Sequence, residues 1–242
     1  MPLRSAIVLE VCIDRFSSAM AAIRGGANRL EVCGALGSAG VTPSIGFVEQ
    51  CLELEGVSRM VMVRPHEGGF DYDSGEIQTM LRDIERFKSV GAEGVVLGVL
   101  RPDGSIDREN CRRLIDAARP MEVTFHRAFD VIPEPLRALD DLVELGCDRL
   151  LTSGQATVAM DGAILIRDLV ARAGEELSIV AGTGIHAENV QQLLQVSGVR
   201  EIHISGSTPE SPTVRGAVTF GSNSRITSER KVRAVRNVIA SM

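Results

Sequence analysis

GANRLEVCG (residues 26–34) recurs in outline three more times along the chain, as GAEGVVLGV (91–99), GCDRLLTSG (146–154) and GVREIHISG (198–206). Each stretch opens on Gly followed by Ala, Cys or Val and runs into an apolar segment. The leading glycines are 65, 55 and 52 residues apart, roughly twice one strand-plus-helix unit. Gly is favoured where a helix ends in a left-handed turn, so each leading Gly reads as a helix stop and the apolar run as the next strand. Four more apolar runs lie between or before them: IVLEVC (7–12), MVMVRP (60–65), EVTFHR (122–127) and SIVAGTG (178–184). Eight short strands, each followed by a helical stretch, are the signature of a (βα)8 barrel.

The reading predicts strands at 7–12, 29–32, 59–64, 94–99, 122–125, 149–152, 177–181 and 201–204. Helices are expected at 16–24, 43–54, 75–90, 107–118, 133–145, 161–173, 187–195 and 228–240, with Thr42 capping Pro43. The chain is expected to be a single α/β domain over 1–242: a barrel core at 1–205, then a C-terminal loop and helix at 206–242. The polar loop SGSTPESPTVRGAVTFGSNS is expected to be mobile unless a partner or the barrel mouth orders it.

Composition removes several function classes. A net charge of −6 with no Lys/Arg run argues against nucleic acid. No apolar run approaches the ~20 residues that span a membrane, and the N-terminal stretch does not read as an export signal. Five scattered Cys argue against a disulfide framework and for a reducing, cytoplasmic setting. The only two lysines, Lys88 and Lys231, fall in predicted outer helices, which excludes Schiff-base chemistry at a desolvated Lys.

Strand side chains alternate between the barrel interior and the helix ring, and the ring must bury the apolar face. That turns Leu9, Val11, Leu30, Val32, Val61, Val63, Val123, Phe125, Ile202 and Ile204 outward. Glu10, Cys12, Glu31, Cys33, Met62, Arg64, Thr124, His126, His203 and Ser205 turn inward. Buried carboxylates need partners, and Arg64 and Arg127 are the expected ones, with His126 and His203 completing a polar ring. The ring reads either as an acid/base and anion-binding site or as a structural network. As a site, Glu10 and Glu31 share a proton, His126 can transfer one, and Arg64 clamps an anion. Backbone groups of Gly182, Gly184, Ser205 and Gly206, with Arg127, are expected to bind an anion such as phosphate, and the Thr152–Ser153 hydroxyls add donors. The loop HEGGFDYDSG (66–75) reads as a lid with Gly hinges or a covering loop. Cys12 and Cys33 close adjacent strands on one face: two soft donors suited to Cu(I), or two small buried apolar residues.

LEVC (9–12), RLEVCGAL (29–36), TPSIG (42–46), MVRP with GGFDY, and above all TFHRAFD (124–130) resemble the CutC family of copper homeostasis proteins, distinct from the choline lyase sharing that name. LLTSG (150–154), GTGI and HIS (203–205) extend the resemblance to about residue 205. It implies a (βα)8 barrel, a cytoplasmic homodimer or higher homo-oligomer, Cu(I) ligation by Cys12 and Cys33, and no organic cofactor. Two functions are therefore carried forward. One is Cu(I) handling through the Cys pair; the other is a metal-independent lyase, isomerase or hydrolase acting on a small anionic or phosphorylated substrate.

Overall fold

In the computed structural model, which describes residues 7–210 and 224–242, eight parallel strands close into a barrel in chain order. They are β1 (Val8–Ile13), β2 (Arg29–Val32), β3 (Ser58–Met62), β4 (Gly94–Leu97), β5 (Glu122–Phe125), β6 (Arg149–Thr152), β7 (Ser178–Gly182) and β8 (Glu201–Ile204). Seven helices connect or follow them: α1 (Phe16–Arg24), α2 (Ile45–Leu52), α3 (Ser74–Ser89), α4 (Arg108–Ala118), α5 (Pro135–Leu145), α6 (Ala163–Ala173) and α7 (Val190–Ser197). The C-terminal extension adds a short antiparallel pair, β9 (Ser207–Pro209) with β10 (Arg225–Thr227), then α8 (Glu229–Ala240). The middle of the loop expected to be mobile, 211–223, lies outside the described residues.

The leading glycines stop helices as the repeat implies. Gly26, Gly91, Gly146 and Gly198 have φ of 95°, 89°, 80° and 72°, a region in which an L side chain is strained. Around the first three the hydrogen bonds match: Ala27 N to Ala22 O, Ala92 N to Phe87 O, and Cys147 N to Leu142 O, each spanning the glycine. That is the helix-ending turn in which a left-handed residue lets two orphan carbonyls be satisfied.

The outward residues predicted from alternation all lie in one large apolar core between strands and helices. Each such Leu, Val or Phe removed from water contributes about 1.5–3 kcal/mol. A second, small cluster of Cys33, Met60, Met62 and Val96 fills the barrel interior. The helix starts shift by a few residues where caps override periodicity. Asp73 and Glu76 form a reciprocal capping box that begins α3 at Ser74. Pro135, not Pro133, occupies the first turn of α5. Two 3-10 turns were not anticipated: Leu36–Ser38 after β2 and Arg127–Val131 after β5.

Candidate active site

Register places the inward residues of β8, β1 and β2 side by side, with Glu10 opposite both His203 and Arg29, and Cys12 opposite Glu31. His203 Nδ1 lies 2.7 Å from Glu10 Oε1, and its Nε2 is 3.8 Å from Glu31 Oε2. The Cys33 thiol donates to Glu31 Oε2 at 3.3 Å. Glu10 and Glu31 are only 2% and 4% exposed, so their charge states are set by these neighbours.

The carboxylates' expected partners need correction. Glu10 pairs with Arg29 (3.4 Å), not with Arg64 or Arg127. Arg29 also pairs with Glu201 at 2.6 Å, Glu201 with Arg149 at 3.3 Å, and Arg149 with Glu122 at 2.5 Å. An ion chain thus runs up the barrel interior from its N-terminal floor to His203. Its lower members were legible: Arg29 shares parity with Glu31, and Arg149 and Glu201 occupy the same fourth place in their repeats. Gly94 fills that place in the remaining repeat, where a Cβ would sit 2.1 Å from Met60 Cε.

Arg64 instead donates to the carbonyls of Ser38, Gly40 and Gly68 at 2.9–3.1 Å, with its guanidinium 5.2 Å from the centre of the Phe70 ring. Together with Leu100 N to Phe70 O (2.8 Å) and His66 to Glu76 (2.7 Å), this fastens the loop that read as a possible lid. Arg127 is half-exposed and binds Asp130 at 2.8 Å and Ser153 Oγ at 3.0 Å. The Thr152 and Ser153 hydroxyls also serve Asp130, at 2.5 and 2.9 Å, instead of standing free as anion donors.

Burial would raise the Glu10 carboxyl, but the hydrogen bond and charge of His203, with Arg29 and Arg149, hold it below its ordinary value. Burial raises Glu31, with Glu10 adding repulsion, and the nearby His203 only partly offsets this. His203 is desolvated too, yet Glu31, Cys12 and Glu10 raise it well above the ordinary imidazole value. The shifts set the trio apart: Glu10 is biased to its carboxylate, His203 to its imidazolium, and Glu31 takes up a proton more readily than an ordinary carboxyl. Burial, then Glu31, pushes the Cys33 thiol well up, against a thiolate.

His126 departs from expectation. It is 4% exposed, and burial with the Arg64 charge lowers it to about 3. That favours the neutral ring near pH 7. Glu31 Oε1, Thr124 Oγ1 and His126 Nε2 are buried without a hydrogen-bond partner among the described residues.

A cavity of about 930 Å³ opens over these groups, lined by Cys12, Glu31, Arg64, His126, Arg127 and His203 among others. Beside it a recess of about 790 Å³, also reaching Cys12 and His203, is lined by Gly184, Ser205, Gly206, Arg225 and Lys231. Gly182 lies within β7, where a Cβ would come 2.7 Å from Leu151 Cδ1, so packing accounts for this glycine. Lys231 is exposed on α8 and donates to Ser207 O. One group of donor atoms, from Cys12, Glu31 and His203, lies within 4.8 Å of one another; Cys33 is not in it.

The CutC family profile matches residues 7–208. The chain belongs to the CutC family. A CutC family protein of Histophilus somni is 42% identical over 215 residues, 88% of each chain. One of Photobacterium profundum is 40% identical over 242 aligned positions, covering 96% of this chain and 99% of that one. A solved CutC structure from Streptococcus agalactiae, described there as a candidate copper homeostasis protein, superposes with a TM-score of 0.78 at 33% identity, over 82% of this chain and 98% of that one. Phosphoribosylanthranilate isomerase of Thermotoga maritima, at 15% identity and a TM-score of 0.61, shares the barrel fold. Among the described residues of this CutC chain, no helix is long and apolar enough to cross a membrane.

Proposed function

We propose that the barrel mouth is a catalytic centre that moves a proton on a small anionic substrate, without a metal. The observation that carries this is the Glu10–His203–Glu31 chain at 2.7 and 3.8 Å beneath a 930 Å³ cavity. A structural network needs its polar atoms satisfied, yet Glu31 leaves Oε1 unpartnered. Glu31 is the proton carrier, and the His203 imidazolium, fixed by Glu10, stabilises negative charge beside it. Arg225, Lys231 and the backbone around Gly184 and Gly206 supply a cationic recess for the anionic end of the substrate. A thermal-shift screen of small phosphorylated and carboxylated metabolites tests this: at least one stabilises the protein, and Glu31→Gln abolishes its turnover while still binding it. If no anion stabilises the wild type, the reading fails.

A second reading is favoured by the Cys12–Glu31–His203 donor group and by the description of the Streptococcus agalactiae relative: handling of copper as cargo. The group offers one sulfur, one nitrogen and one oxygen, a harder set than the Cys12–Cys33 pair that Cu(I) prefers. Competition against a Cu(I) chelator decides it. Copper handling requires tight binding that falls in Cys12→Ser; binding unchanged in Cys12→Ser/Cys33→Ser refutes it.

A further inference from the structure

His126 has a geometry that acid/base chemistry at Glu31 does not explain. It closes β5, and its Nδ1 accepts the backbone N–H of Ala128 at 3.2 Å, inside the 3-10 turn it caps. An acceptor at Nδ1 fixes the neutral tautomer with the proton on Nε2, because an imidazolium would set one N–H against another. The ring is held on three sides. Phe70 lies at 5.0 Å and Phe125 at 5.9 Å between ring centres, and a Cβ on Gly98 would come within 2.5 Å of Cε1 and Nδ1.

What remains is one donor, Nε2–H, buried, without a partner among the described residues, on a residue lining the same cavity as Glu31. Its lone-pair nitrogen is occupied, so it is no base. Burial, with the Arg64 charge added, keeps the ring neutral, so it is no imidazolium acid. A fixed, desolvated donor is most useful against an oxygen that gains charge during the reaction.

We propose that His126 is the carbonyl-binding donor of this site, and that the substrate is a small anionic carbonyl compound enolised by Glu31. This rests on the catalytic reading above and names its substrate class. Glu31 Oε1, as carboxylate, takes a proton from the carbon next to the carbonyl. The C–H electron pair becomes the C=C bond, and the C=O pair moves onto the oxygen that Nε2–H holds. Return of the proton from Glu31 to carbon restores both partners, with no oxidant, reductant or co-reactant. The neutral ring suits this step, since it stabilises an enolate without surrendering its proton in the ground state.

The test uses 15N-labelled full-length protein, whose four histidines give a resolvable set of imidazole signals, with His126 assigned by its loss in His126→Gln. In the free protein His126 is expected to be the neutral Nε2–H tautomer from about pH 8 to pH 5; an Nδ1–H tautomer or an imidazolium in that range overturns the assignment. Phosphoglycolohydroxamate, a planar mimic of a phosphorylated enediolate, is then titrated in. It is expected to move the Nε2–H proton downfield and to bind at least about tenfold more weakly in His126→Phe, with partial recovery in His126→Gln, whose amide can donate; tenfold is about 1.4 kcal/mol. Binding unaffected by His126→Phe overturns the proposal. Absence of wild-type binding also overturns the substrate class, while the metabolite screen still decides whether the site is catalytic at all.

Discussion

Glu10 and His203 face each other across the β1–β8 seam at 2.7 Å, and Arg29 approaches the other oxygen of the same carboxylate at 3.4 Å. One buried anion thus anchors two cations, one from each of the strands that flank β1.

Glu10→Gln removes the anion while keeping the side-chain shape. The imidazole pKa of His203 should fall, because the Glu10 hydrogen bond is one of the contributions that hold it up against burial, beside those of Glu31 and Cys12. NMR titration of the His203 ring reads this. Denaturant unfolding should show a loss of about 3–5 kcal/mol, the usual cost of breaking a buried pair from one side. A His203 pKa unchanged by the substitution contradicts the role given to Glu10.

Arg29→Met should cost a similar amount, since it leaves Glu10 and Glu201 short of their shared cation. In Arg29→Met/Glu201→Gln the two costs should not add, because the second change removes one stranded charge. A double-mutant cycle by urea unfolding should give a coupling of about 1–3 kcal/mol. Strict additivity would mean that the ion chain is energetically unconnected.

The two buried histidines should give stability opposite dependences on pH. The unfolded chain protonates His126 below about 6.5, whereas the folded protein waits until about 3. Between these values the unfolded state binds the extra proton, so stability falls with acidification by about 1.4 kcal/mol per pH unit from this group. His203 is raised, so its contribution is complete below the unfolded value and fades as pH rises through its folded one. Unfolding curves from pH 7 to pH 4 should be flatter in His126→Phe than in the wild type. Parallel curves would rule out a neutral buried His126.

Gly154→Ala should destabilise by more than about 2 kcal/mol: φ is 69°, and a Cβ would lie 2.3 Å from the Gly162 carbonyl oxygen, a backbone atom that cannot swing away. Gly37, with nothing within 4 Å of an added Cβ, is the control and should change by about 0.5 kcal/mol or less on substitution with Ala. Thermal melts of the two variants check the contrast.

The barrel was legible because its two periodic signals agree: a glycine helix stop and strand alternation. The same alternation placed Glu10, Glu31, Cys12, Cys33, His126 and His203 on one interior surface, which the cavity and contacts reproduce. Which cation serves which carboxylate was not legible. Parity fixes a face but not a height along the axis, so Arg64 and Arg127 were expected to serve Glu10, whereas Arg29 at the floor does. The state of His126 was hidden for a different reason. It depends on burial, on the hydrogen bond that Nδ1 accepts from Ala128 N–H in an unanticipated 3-10 turn, and on the Arg64 guanidinium just past β3.

The fourth residue of each glycine-led repeat is Arg29, Gly94, Arg149 or Glu201, so the segment that ends a helix also lays one tile of the barrel floor. Two tiles are positive, one is negative and one is absent to admit Met60. The quarter-barrel units are thus alike in backbone but not interchangeable in charge. Replacing the segment at Gly146 with the one at Gly198 would keep a left-handed glycine at the helix end and yet set Glu201 opposite another carboxylate. The pattern that makes the units look like copies hides a charge code that keeps each in its own place around the ring.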